Sequence, residues 1–154
     1  MSKSLADISA ALRDIDFCML VSRAEDGSLG GRPMRNNRGA AFDGTSWFYA
    51  DERYRSVADI ERDPAVGLSY HGSAGLMGGA GRPGLFVHIE GRANLVRDRG
   101  ALAEHWDTGL DRWFPQGADT PGLVLIEVRA QRVHYWDGTD EGEGEVELTA
   151  TAAA

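Results

Sequence analysis

A chain of 154 residues, 42% hydrophobic and 26% charged, has the size and make-up of one globular domain able to bury a core. Sixteen Lys and Arg against 24 Asp and Glu leave a net charge of −8, which argues against nucleic acid, whose affinity comes from neutralising phosphates with cations. The single cysteine, Cys18, excludes an internal disulfide and a cysteine-based zinc site, and no apolar run approaches the ~18 residues of a membrane span.

Ser4-Leu5-Ala6-Asp7 reads as a capping box, and Leu5, Ile8, Leu12 and Ile15 recur at helical spacing, which predicts an amphipathic helix over 5–15. A strand follows over 17–23; Cys18 lies in its apolar run and reads as a small buried hydrophobe. Glu25-Asp26-Gly27 is a hairpin turn. The next strand crosses Gly30, Gly31 and Pro33, residues that mark a bulge, a barrel corner or a close approach to the backbone, such as that of a flat ring. Asp43-Gly44 turns the chain into a strand over 45–50. The helix beyond it places Val57 and Ile60 inward and stops at Asp63-Pro64. Val66, Leu68 and Tyr70 alternate as in a half-buried strand.

Residues 72–84 are glycine-rich and contain a formal G-x-G-x-x-G, Gly79 to Gly84. That fingerprint must open a helix, whereas here it leads into a strand from Leu85 to Val96, so the stretch reads as a loop. Asp98 is placed to cap a further helix carrying Leu102 and Trp106 on one face. Residues 122–129 and 131–137 read as two last strands. From Gly138 the chain turns acidic, and Asp140, Glu141, Glu143, Glu145 and Glu147 predict a solvated, mobile tail. The expected organisation is one domain over 1–138 and a tail over 139–154. The fold class is mainly β (α+β), an antiparallel split β-barrel of six to seven strands with flanking helices.

Arginines supply the clearest chemistry. Arg32 and Arg35 lie on the Gly30–Pro33 strand, and Arg53 and Arg55 fall where the second helix begins. Guanidinium groups beside free helix N–H groups form an anion pocket, with solvated surface arginines as the alternative. His88-Ile89-Glu90 lacks the P-C-x-x-C partner of zinc deaminases and reads as alternating strand residues; no metal is assigned. The nucleophile motif G-x-S-x-G is absent and no catalytic residue is assigned, so any redox step would belong to a cofactor.

GGRPMRNN, then SWFYADERYRSVADIERDPAVGLSY, resembles the opening of the pyridoxamine-phosphate-oxidase-like flavin-binding split barrels, within them the general stress protein 26 type. FVHIEGRANLVRDR, RWFPQGADTPGLVLIEV and VHYWDG are similar to that subgroup in the same order, so the resemblance covers roughly residues 5–138. It implies a homodimer with FMN, or alternatively FAD, at the subunit interface; with no membrane span or signal-peptide region to read, the expected location is cytoplasmic. The deazaflavin F420 stays open, because it also presents a phosphate and a flat ring. Arg32, Pro33, Met34 and Arg35 would meet the flavin ring with backbone and side chain. Asn37 stands where the oxidases have a lysine, and Tyr49 and Ala50 fall on the pair nearest the ribityl phosphate. Arg55 and Ser56 match an Arg-Lys phosphate pair, with Ser56 a departure; Trp136 matches a tryptophan reaching the partner's flavin. Trp113 is either an interface or a flavin contact. Genuine pyridoxamine phosphate oxidases carry a basic segment after the tryptophan, whereas DGTDEGEGEVE is acidic and would repel that substrate. A low-specificity oxidoreductase, a non-catalytic flavin-binding or flavin-storing stress protein, and an F420-dependent reductase remain as readings.

Overall fold

The computed structural model describes residues 2–38, 40–72, 84–138 and 142–148. Helix α1 (Leu5–Arg13) opens on the expected capping box. The Asp7 amide donates to the Ser4 hydroxyl at 3.2 Å, and the Ser4 amide donates to the Asp7 carboxylate at 2.8 Å. It ends at Asp14, so Ile15 enters the core from the following turn instead of from the helix.

Among the described residues, seven strands make one antiparallel sheet: β1 (Phe17–Arg23), β2 (Leu29–Arg35), β3 (Thr45–Asp51), β4 (Ala65–Gly72), β5 (Leu85–Val96), β6 (Leu123–Trp136) and β7 (Glu143–Val146). Their order is β2-β1-β4-β5-β6-β3, with β7 beside β6. Alternation decides what faces inward. On β1, Cys18, Leu20 and Ser22 are buried while Phe17, Met19 and Arg23 are exposed. Burial pushes the Cys18 thiol up to about 12.

Residues 122–137 read as two strands but form one, β6. The pairing shifts between Glu90↔Arg132 and Gly91↔Ala130, which leaves Gln131 as the extra residue of a bulge. Gly91 suits the bend: a Cβ there would lie 2.8 Å from the Arg129 carbonyl oxygen. Beyond the bulge β6 is covered on both sides. Ile126, Val128 and Ala130 join the main core, while Leu123 and Leu125 pack with Tyr49, Leu102 and Leu110 in a second cluster. That cluster is closed by α3 (Arg99–Glu104), capped by Asp98 as expected, and by the 3-10 turn Thr108–Leu110.

Helix α2 (Arg55–Arg62) lays Val57 and Ile60 inward and stops at Asp63, which is extended (φ −142°, ψ 112°) as the following proline demands. Within the expected acidic tail, Glu143–Val146 forms β7. Glu143 to Val146 alternate out and in, so Val146 is buried while the carboxylates meet side chains of β6: Glu145 pairs with Arg132 at 3.2 Å and Glu143 lies 2.8 Å from His134 Nε2. The sheet continues past the boundary expected at 138, because β7 pairs with β6. Most of the glycine-rich stretch, 73–83, lies outside the described residues. No helix among them is long and apolar enough to cross a membrane.

Candidate functional site

The sequence brings β2 against the start of α2, and a cleft of about 290 Å³ lies between them, lined by Ser22, Gly30, Gly31, Arg32, Pro33, Arg55, Ser56 and Asp59. Gly30 brings the strand close to Arg55: a Cβ there would sit 3.4 Å from its guanidinium, an ordinary contact. Tyr54, at the N-cap, has no side-chain hydrogen bond to the first turn. The start of α2, whose residues Arg55 and Ser56 line the cleft, thus lacks a side-chain cap, although the Val57 amide donates to the Tyr54 carbonyl at 3.0 Å. Tyr54 instead holds Arg32, whose guanidinium lies 3.5 Å over its ring.

Ser56 and Arg35 carry the most informative atoms. Among the described residues, the buried side-chain polar atoms without a hydrogen-bond partner are Ser56 Oγ and Arg35 Nε. Buried polar groups are nearly always paired, so each marks a place where a partner is missing. Ser56 is 5% exposed and lines the cleft. Arg35 ends β2, with Nη1 3.6 Å from Asp16 Oδ1 and its guanidinium 5.7 Å from the Phe17 ring. A phosphate oxygen, which accepts from a hydroxyl, from amides and from guanidinium, fits the donor set at Ser56.

Two residues that sequence reasoning passed over complete the cleft. Asp59, buried on α2, accepts from Ser22 Oγ at 3.0 Å and from Arg62 Nη2 at 3.0 Å, and its Oδ2 is 3.6 Å from Arg55 Nε. It thus tethers Arg55 at the rim. The spacing of Arg55, Asp59 and Arg62, four and three apart, was the available signal. Ser22 gave none, since a serine in an apolar strand announces nothing.

Arg32, Pro33, Arg55 and Ser56 converge on one cleft, and Arg35 lies farther along the same strand. Other expected site residues go elsewhere. The Met34 side chain, expected with its backbone at the ring edge, is buried in the main core. Ala50 is fully buried in that core. Tyr49 belongs to the second cluster, where its hydroxyl donates to the Leu102 carbonyl at 2.6 Å; burial pushes its phenol up. Asn37 is buried and donates to the His105 carbonyl at 2.9 Å, so it ties two loops together. Arg53 turns away too: it is held by Asp51 at 2.7 Å, and the Arg53 hydrogen bonds hold the Asp51 carboxyl down at about 2.

Trp136 lies on the outer face of the sheet, opposite Phe86, which is itself opposite His71. Phe17, Met19, Phe86 and Trp136 are exposed on strands of this face, and Trp113 packs edge-on against Phe17 at 6.2 Å. His88 and Glu90 alternate with buried Ile89 as expected, and Glu90 pairs with Arg132 at 3.1 Å. No group of three or more His, Cys, Asp or Glu able to hold a metal ion occurs among the described residues.

The architecture is that of an antiparallel split barrel. The family model described as "Pyridoxamine 5'-phosphate oxidase like" matches residues 3–153, and the chain belongs to that family. Solved structures share the fold. A Clostridium acetobutylicum protein related to general stress protein 26 superposes with a TM-score of 0.75 at 13% identity, covering 97% of this chain and 96% of that one. General Stress Protein 26 from Bacillus anthracis str. Sterne gives 0.67 at 19% identity, with coverage of 85% and 92%. An F420 reductase gives 0.59 at 20% identity, with coverage of 81% and 94%. No curated protein is significantly similar in sequence.

Proposed function

We propose that the chain is a flavin-binding protein of the general-stress type. In this reading the cleft at Ser56 seats the flavin phosphate, and the ring lies along β2 toward Arg35. The observation that carries the reading is the orphaned buried hydroxyl of Ser56 in the cleft between β2 and α2. Ser56, the uncapped amides of α2 and Arg55 would bind the phosphate, and Arg32, stacked on Tyr54, would border it. When bound, the flavin supplies the redox chemistry; the protein supplies position and charge. The vitamin phosphate is a poor substrate for this site, because Glu143 and Glu145 of β7 occupy the stretch that is basic in the oxidases.

The same reading includes a homodimer formed through the outer face of the sheet. Phe17, Met19, Phe86 and Trp136 give that face exposed apolar and aromatic surface, the composition of an interface centre. In a two-fold dimer Trp136 of one protomer can complete the site of its partner.

Titration of the protein with FMN, followed by fluorescence quenching, tests the cofactor reading; riboflavin is the phosphate-free control. Arg55 is 66% exposed, so its contact is partly screened, and Arg55→Ala is expected to weaken FMN about 3- to 10-fold while leaving riboflavin unchanged. Absence of binding by FMN, FAD and F420 alike overturns the reading. Reduction of bound flavin by NAD(P)H, followed by turnover with an acceptor, separates an oxidoreductase from a flavin-storing protein.

A further inference from the structure

Asp59 puts a carboxylate beside the seat that the reading above gives to a phosphate. It is 4% exposed and lines that cleft together with Ser22 and Arg55. Ser22 Oγ and Arg62 Nη2 each donate to it at 3.0 Å, and Arg55 Nε lies 3.6 Å from its Oδ2. Its charge is therefore well supported, and it partly neutralises both arginines. Past Arg55 the cleft widens into a space of about 650 Å³ between the β1–β2 turn and the edge of α2, bounded by Glu25, Asp26, Ser28, Arg55, Asp59 and Arg62. Arg55 and Asp59 line both parts, so the two are continuous.

The wider part has room for more of a ligand, but its charge is wrong for an anion. Glu25, Asp26 and Asp59 outnumber Arg55 and Arg62, and Asp59 stands between the two arginines. Asp26 accepts from the Ser28 hydroxyl at 2.6 Å and from its amide at 2.9 Å, bonds that hold its carboxyl below the ordinary value and keep it charged. The two flavin nucleotides meet this wall differently. With the ring along β2 toward Arg35, whatever lies beyond the seat runs the other way, toward the turn. FMN ends at the seat, with the whole charge of its monoester on one group. FAD continues into a second phosphoryl group, which past Arg55 meets carboxylates. Like charges a few ångströms apart in a half-buried cleft repel more strongly than they do in open solvent.

We propose that Asp59 is a specificity-determining residue: its carboxylate, between Arg55 and Arg62, restricts the site to a flavin ending in a monophosphate and excludes the diphosphate of a dinucleotide. The inference rests on the flavin reading above and deepens it, assigning the choice between the two nucleotides to one side chain.

The full-length protein and its Asp59→Asn and Asp26→Asn variants are titrated with FMN, FAD and riboflavin at low salt. The unmodified protein is expected to bind FMN about tenfold tighter than FAD. Asp59→Asn keeps the shape of the side chain and an oxygen for Ser22 while removing the charge, and it should bring that ratio down to about twofold. The ratio is the readout because Asp59 also borders the seat, and a general gain in phosphate affinity would move both nucleotides alike. Asp26→Asn, on the exposed far wall where solvent screens the charge, should narrow the ratio by about two- to threefold. Retained riboflavin binding certifies a folded ring pocket; if Asp59→Asn loses it, Asp26→Asn carries the test. Equal affinity for FMN and FAD in the unmodified protein overturns the proposal. So does a ratio left unchanged by a folded Asp59→Asn or, where that variant does not fold, by Asp26→Asn. If the unmodified protein binds no flavin at all, the flavin reading fails and this inference falls with it.

Discussion

The hydroxyl of Ser56 has opposite values for stability and for binding. Buried without a partner, it carries a desolvation penalty of about 1–3 kcal/mol that a ligand would relieve. Ser56→Ala is therefore expected to raise the Tm of the flavin-free protein and to weaken FMN about 5- to 10-fold, with riboflavin nearly unchanged. A thermal scan beside the two titrations reads both signs at once; a lower Tm would mean the hydroxyl serves the fold. Cys18 shows the reverse case, a buried group with no use for its chemistry. With its thiol pushed from 9.0 up to about 12, it holds its proton in the folded chain. It should resist thiol reagents at pH 8 until the protein unfolds. The linkage has a definite sign. The folded state keeps a proton that the unfolded state releases above pH 9, so stability is full below pH 9 and falls as pH rises toward 12. A Cys18→Ala variant should lose less Tm than the unmodified protein over that interval.

At the scale of elements, β7 and α2 each join a charge pattern to a packing surface. β7 extends the sheet by pairing Val133–Trp136 of β6 with Glu143–Val146. Its Val146 is buried, and burial of one valine contributes about 1.5–3 kcal/mol. Truncation before residue 142 is expected to destabilise the domain by about that amount in urea unfolding. A silent truncation would show that the strand contributes nothing to the fold. α2 does a different job. Val57 and Ile60 fix the helix to the sheet, and Asp59, on the same buried side, binds the Ser22 hydroxyl and holds Arg62. The face that anchors the helix thereby orients the arginines of its other face.

For the whole molecule, the question is what covers the outer face of the sheet. Phe86 is 39% exposed there, flanked across the strands by His71 and Trp136. Its side chain is absent from both core clusters, so a charge at this position should spare the monomer's core. Phe86→Asp is expected to convert a dimer to a folded monomer in light scattering, with unchanged circular dichroism and at least about tenfold weaker flavin binding, since charge burial in an interface is strongly unfavourable. A dimer that persists in this variant places the interface elsewhere. A monomer that binds flavin fully removes the shared site.

Local signals determined much of this protein. The Ser4–Asp7 capping box, the Asp63-Pro64 stop, the period-two burial of β4 and β5 and the glycine turns are short-range effects, each decided by residues within a few positions of one another. The resemblance in GGRPMRNN and in Arg55-Ser56 pointed to a strand and a helix whose residues Arg32, Pro33, Arg55 and Ser56 line one cleft. Tertiary structure alone decided the rest. That β6 runs unbroken through its bulge depends on Gly91 of another strand, and that an acidic segment forms β7 depends on Arg132 and His134 to receive its carboxylates. Whether Met34, Ala50 and Tyr49 face a ligand or a core depends on which surfaces pack against them, and a chain read in one dimension does not hold that information. The orphaned donors of Ser56 and Arg35 are likewise a property of three dimensions: a missing partner becomes visible only once every other neighbour is in place.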